Sequence, residues 1–220
     1  MTLFTKIAEG GSYRIFEATF RNGLKVIARL PYPSTIPQKY GIASEVATME
    51  FLRLHGVPTP NVLDWDSSSS NAVGSEYMVM EKVPGKELEE TWYTMTLKER
   101  MAMMEKIVKV EQTLFNFEFP ASGSIFYKKT LGTGAKTVDI PSASVDTSKF
   151  CISPSTEYLW WFKNRHELST NHGPCEYSTK YNSFLADWNI LGDSSEDVLT
   201  AVGEKRTTVV TKIWRTPMAA

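Results

Sequence analysis

Gly10 and Gly11, Arg29 and Glu45 are the chemically suggestive residues of this 220-residue sequence. Gly10-Gly11 parts two extended runs. A tight glycine turn lets backbone N–H groups approach a phosphate closely, and it serves an ordinary hairpin equally well. Arg29 stands inside the apolar run LKVIARL (Leu24–Leu30), where a charge is costly unless paired. Glu45 lies on the next segment, whose apolar face must dock on the strands. A strand-borne cation held by a helix-borne carboxylate can be aimed at phosphate oxygens. A rim ion pair, or an arginine pointing outward, would use the same two residues. The extended run Glu76–Val83, ended by Pro84-Gly85, could offer backbone C=O and N–H groups to a flat heterocycle.

Strands and a helix must hold these groups. Leu3–Ala8 reads as a short strand, Ser12–Phe20 as a second with Tyr13 and Ile15 on one face, and Leu24–Leu30 as a third. Arg21-Asn22-Gly23 is a turn of the Asn-Gly kind that joins tight hairpins. A helix is predicted over Gln38–Leu54, because Ile42, Val46, Met49 and Leu52 recur at helical spacing and Gly56 follows as a cap. Asn61–Trp65 and Glu76–Lys82 read as further strands around a Ser-rich turn, Asp66 to Asn71. Thr96 and Glu99 have capping-box spacing. They precede a stripe of Leu97, Met101, Met104, Val108 and Phe115, which predicts a core-packing helix face. Pro120–Phe150 reads as hairpin or loop, and Ser155–Leu168 as an amphipathic helix rich in aromatics. The expected class is α+β: a five-stranded sheet with one helix, then a mostly helical part.

Composition narrows the partners. The chain balances 24 Lys+Arg against 25 Asp+Glu, which gives no global electrostatic case for nucleic acid. Cys151 and Cys175 cannot make a disulfide scaffold, and no C-x-x-C spacing occurs. No apolar run approaches the ~18 residues of a membrane span. The start, MTLFTKIAEGG, has neither an apolar signal core nor an Arg-rich presequence. An intracellular protein without a membrane span is expected.

Taken in order, glycine turn, strand cation, helix carboxylate and extended connector follow the first lobe of a protein-kinase-like fold. EGGSYRIF (Glu9–Phe16), VIARLPYP (Val26–Pro33), ASEVATMEFLR (Ala43–Arg53), GVPTPNVLDWD (Gly56–Asp66) and GSEYMVMEKVPG (Gly74–Gly85) resemble the aminoglycoside phosphotransferase family. Within it they are most similar to the fungal branch that includes altered inheritance of mitochondria protein 9, as is Phe150–Leu168. The resemblance implies a two-lobed fold that binds ATP with Mg2+ between the lobes. It implies a nucleotide-binding lobe at 1–83, the start of a helical lobe at 84–175 and an aberrant end at 176–220. By position, Gly10, Gly11 and Ser12 would form the phosphate-covering turn. Arg29 would replace the family's more general strand lysine, with Glu45 as partner. Met80 would line the back of the adenine pocket, and the backbone of Glu81 and Val83 would meet the adenine edge. The branch also implies a mitochondrial location.

Phosphoryl transfer in this fold needs an Asp that accepts the substrate proton, and an Asn and second Asp for magnesium. The family carries these in an H-G-D-x-x-x-x-N loop and a later strand. None of Asp64, Asp66, Asp139, Asp146, Asp187, Asp193 and Asp197 has a His two residues before it. Asp66-Ser-Ser-Ser-Ser-Asn71 has the D-x-x-x-x-N spacing but reads as turn chemistry. Asp187-Trp188-Asn189 lacks a catalytic loop before it. Family resemblance lapses over Glu176–Gly192 and returns over Ser194–Arg206, a pattern that predicts an insertion and an early end. No catalytic residue and no metal ligand is assigned. The expectation is a truncated, pseudokinase-like member that binds nucleotide without transferring phosphate, or a scaffold or unstable fragment. An incomplete second lobe is expected to leave apolar faces such as Trp160, Trp161 and Phe162 with fewer partners, which would favour self-association or a protein partner.

Overall fold

The computed structural model describes residues 1–142, 145–162 and 172–176. Its first half is one antiparallel sheet of β1 (Leu3–Glu9), β2 (Tyr13–Thr19), β3 (Lys25–Pro31), β4 (Val62–Asp66) and β5 (Tyr77–Glu81). The spatial order is β1-β2-β3-β5-β4. Gly23, at φ 82°, supplies the left-handed residue that the β2–β3 turn requires. Every residue of β1 is exposed, as an edge strand permits, although Phe4 stacks on Phe16 at 4.9 Å. Glu17 on β2 lies between Lys25 and Lys82, which hold its carboxyl down at about 2 through hydrogen bonds. Folding therefore depresses this group, so its contribution is present above pH ~4.5 and lost as pH falls toward ~2. Glu17→Gln should flatten the acid limb of the unfolding curve over that window, and an unchanged limb would contradict this linkage.

Helix α1 (Tyr40–Leu54) runs between β3 and β4 in sequence. Its N-terminus carries no side-chain cap of its own. Instead the Lys39 N–H donates to the Glu76 carboxylate at 2.9 Å, placing a negative group where the helix dipole favours it. Its C-terminus closes as the glycine predicts. Gly56 has φ 79°, its N–H donates to Arg53 O at 3.0 Å, and the Val57 N–H donates to Leu52 O at 3.0 Å. That double bond pattern is a Schellman motif.

After β5 come α2 (Leu88–Trp92) and α3 (Leu97–Phe115). Thr96 and Glu99 form the reciprocal capping box that the sequence predicts. The stripe behind it does not behave as predicted. Leu97, Met101, Met104, Val108 and Phe115 are all exposed, and α3 buries no residue among those described. A helical period shows which residues share a face, not whether anything covers that face.

The chain then departs from the mostly helical expectation. Strands β6 (Ala121–Ser122), β7 (Ser124–Tyr127), β8 (Val138–Asp139), β9 (Phe150–Ser153) and β10 (Cys175–Glu176) make two small sheets, β7-β9-β8 and β10-β6. Ile42, Val46, Ala47 and Phe51 of α1 share one core with Met78 of the large sheet and with Tyr127, Phe150 and Ile152 of the small one. Helix α1 is thus packed from both sides. Residues 155–162 hold only a short 3-10 turn at Tyr158–Trp160, where an amphipathic helix was expected; 163–168 lie outside the described residues. Trp160 is buried, and Trp161 donates its Nε1–H to Ser155 O at 2.9 Å while stacking near Tyr40 and His172. The inserted segment and altered end expected over 176–220 lie outside the described residues beyond Glu176, as does Asp187-Trp188-Asn189.

Candidate nucleotide-binding site

Strand alternation decides which way Arg29 faces. Val26 and Ala28 of β3 are buried on one side of the sheet, so Ile27 and Arg29 project to the other, the side of α1. There Arg29 Nη1 donates to Glu45 Oε1 at 3.0 Å. The two residues that the sequence singles out are brought together, and the outward-facing alternative falls away. Burial pushes the Glu45 carboxyl above its ordinary range, with Arg29 pulling it back down. Glu45 Oε2 is buried and without a hydrogen-bond partner among the described residues.

Tyr13 completes this arrangement and is the residue that sequence reasoning missed. Its ring lies 3.8 Å from the Arg29 guanidinium carbon, close enough for a cation–π contact. Burial, with the Glu45 charge adding to it, pushes the Tyr13 phenol up to about 12, so it stays protonated near neutrality. The available signal was its position: Ile15 pairs with Arg29 across the strands, and Tyr13 lies two residues along on the same face.

The Gly10-Gly11 turn hangs over the same end of the sheet. The Gly10 N–H donates to Tyr13 O at 2.9 Å. Ser12 is tied down through its carbonyl, which accepts from the Tyr32 N–H at 3.0 Å and from Thr35 Oγ1 at 2.7 Å. A Cβ added at Gly10 or Gly11 meets nothing within 4 Å. The fold therefore has no need of glycine at either position, whereas a close backbone approach by a ligand would. Gly11→Ala should leave the unfolding midpoint within the range of a neutral surface change, about 0.5 kcal/mol. If this turn covers a phosphate, the same change should weaken nucleotide binding. Unchanged binding would remove the turn from the site.

Met80 pairs with Ile27 and packs partly buried against the α1 core, behind the site. Met78, the cross-strand partner of Arg29, is fully buried. The Glu81 N–H is already donated to Asn61 O at 2.9 Å, and the Glu81 carboxylate accepts from the Asn61 N–H at 2.9 Å. The Glu81 N–H is therefore taken by the sheet rather than offered to a ligand. Val83 is 57% exposed and takes part in no hydrogen bond among the described residues. Asp66 and Asn71 are explained by the turn they sit in. Asp66 accepts from Ser68 N, and Asn71 accepts from Val73 N and Gly74 N while donating to Ser68 O and Ser75 O.

A sequence profile described as phosphotransferase enzyme family (APH) matches residues 4–204. The chain belongs to this family. Among its curated relatives, a subtelomeric hrmA-associated cluster protein of Aspergillus fumigatus is 38% identical over 174 residues, covering 79% of this chain and 33% of the relative. Altered inheritance of mitochondria protein 9 of Candida tropicalis is 31% identical over 180 residues, 75% of this chain and 28% of that protein. Its namesake in Yarrowia lipolytica is 26% identical over 204 residues, 86% of this chain and 35% of that protein. This phosphotransferase-family chain thus spans about a third of the length of the relatives it matches. The five-stranded antiparallel sheet with α1 against it is the arrangement of a kinase first lobe. Among the described residues, no helix is long and apolar enough to cross a membrane.

Proposed function

We propose that residues 1–83 form a nucleotide-binding lobe that receives the phosphates of ATP at Arg29, under the Gly10-Gly11-Ser12 turn. The observation that carries this reading is the Arg29–Glu45 pair at 3.0 Å, joining the middle of β3 to α1 with Tyr13 stacked on the guanidinium. Nη1 is spent on Glu45, and the other guanidinium N–H groups are left to meet phosphate oxygens in a fork that a lysine could not reproduce. Met80, the Glu81 carbonyl and the Val83 backbone would border the adenine. The residues fit the phosphates of a nucleotide. They do not fit a metal centre: among the described residues no group of three or more His, Cys, Asp and Glu could hold an ion. Magnesium would come with the nucleotide.

For these 220 residues the activity proposed is binding without transfer, because no His-Gly-Asp motif occurs in them. A phosphate acceptor is not assigned. Mitochondrial placement rests on the names of the relatives and is read by fractionating the tagged protein. The deciding experiment is thermal unfolding of the chain with and without magnesium-ATP. A ligand that binds only the folded form adds about 2.7 kcal/mol at a hundred times its dissociation constant. A cooperative transition that rises with ATP supports the binding lobe. A cooperative transition that stays put rejects it, and loss of cooperativity supports the unstable-fragment reading.

A further inference from the structure

We propose a second ligand site, separate from the nucleotide lobe's Arg29 face, in the groove between α1, β4 and β7: a site for a small organic anion with a phosphate or carboxylate on a planar or apolar body. The groove holds about 730 Å³, within the usual range for small-molecule sites. Its lining is amphipathic. Half-buried Trp65, stacked on the buried Tyr127 at 6.0 Å, gives the groove an apolar side, and Arg53, Lys128, Lys129 and Lys149 bring positive charge to its rim.

The charge balance inside the groove argues for an anion. Both carboxylates that line it are already engaged. Glu50 accepts from Lys149 at 2.7 Å and from the Tyr127 hydroxyl, and Asp64 accepts from the Tyr77 hydroxyl at 3.0 Å and from the Trp65 N–H at 2.9 Å. Lys128 is paired with Asp139 at 2.8 Å. Arg53 and Lys129 remain, both exposed and neither in an ion pair among the described residues. Lys129 lies over the Tyr127 ring at 5.6 Å. The helix dipole accounts for a cation in the last turn of α1, but not for Lys129 converging on the same groove from the end of β7. Two cations outside any ion pair among the described residues, beside the apolar Trp65 side of the groove, are what an aromatic phosphate or carboxylate would need.

The test is calorimetric titration of the full chain with phenyl phosphate, with benzoate and with inorganic phosphate. Saturable binding of phenyl phosphate or benzoate is expected, weaker by about tenfold or more in Arg53→Ala/Lys129→Ala, on the scale of one lost charged hydrogen bond. Arg53→Lys/Lys129→Arg should restore it, and Arg29→Ala should leave it unchanged. Tighter phenyl phosphate than benzoate assigns the phosphate source, and the reverse assigns the carboxylate. Both variant positions are exposed, so an unaltered unfolding midpoint is expected; should it fall, Lys129→Glu alone serves as the second variant. Absence of saturable binding by either aromatic probe overturns the proposal. So does binding insensitive to the double variant, or binding lost in Arg29→Ala, which would place the probe in the nucleotide lobe.

Discussion

Phe51→Ala should be the most damaging single truncation in the described part of the chain, costing about 3–5 kcal/mol. Phe51 is 2% exposed and sits at the junction of both sheets with α1. Its ring meets Phe150 edge-on at 5.6 Å, Phe117 at 5.4 Å, Phe119 at 5.8 Å and the His55 imidazole at 4.3 Å. Removing it would leave a void walled by rings from β9, from the segment between α3 and β6 and from the end of α1, which cannot all close in together. Against a typical total of about 5–15 kcal/mol, the loss is a large fraction. The midpoint should drop on the order of 10 °C in a chain of this size. Met101→Ala on α3 is the matched comparison, since it removes an apolar side chain that is 60% exposed. It should move stability by no more than about 0.5 kcal/mol. Equal losses in the two variants would mean that the core is not where α1 puts it.

If the proposed site binds magnesium-ATP, Arg29→Ala should abolish the rise in unfolding midpoint expected with it, while leaving a cooperative transition to measure. Both effects have the same origin. Among the described residues the side chain supplies the one guanidinium paired with Glu45, and it holds that carboxylate against its burial. Without it Glu45 is left desolvated and takes up a proton more readily. Because the pair is 24% and 35% exposed at its side chains, the stability cost should be less than for a fully buried pair, about 1–3 kcal/mol. Arg29→Lys separates charge from shape. If the guanidinium fork and its stack on Tyr13 matter, lysine should recover stability but only part of the ATP response. A full response in Arg29→Ala would remove the residue from the nucleotide site and leave the pair as a structural tie between β3 and α1.

The residues that make up this tie were legible from the chain because they obey local rules. An apolar strand with one charge, followed by a helix with a carboxylate at the right phase, leaves few arrangements that avoid stranding a buried cation. The Asn22-Gly23 turn, the Gly56 cap and the Thr96–Glu99 box were legible for the same reason, each being written within a few residues. Tyr13 was not. Its place over Arg29 depends on the register of β2 against β3, and strand alternation alone does not name the neighbour on the next strand. Nor was the loss of the Glu81 N–H to Asn61, which required knowing that β4 pairs with β5 at that point.

The later segment shows the limit most clearly. β7 and β9 are four residues each and more than twenty residues apart in sequence, so neither carries a periodicity long enough to read. They are strands because α1 offers them an apolar face, and Phe126, Phe150 and Ile152 are buried by that contact rather than by any local preference. Conversely, the α3 stripe has the period of a core helix and is exposed. By itself the sequence determined the five strands and one helix of the first half, their turns and caps, and that Arg29 needs a partner, while the structure chose Glu45 over an outward-facing arginine. Only the tertiary structure decided which apolar surfaces meet, how Tyr13 closes over the cation and where the second groove forms, because those outcomes depend on partners distant in the chain and on the register between them.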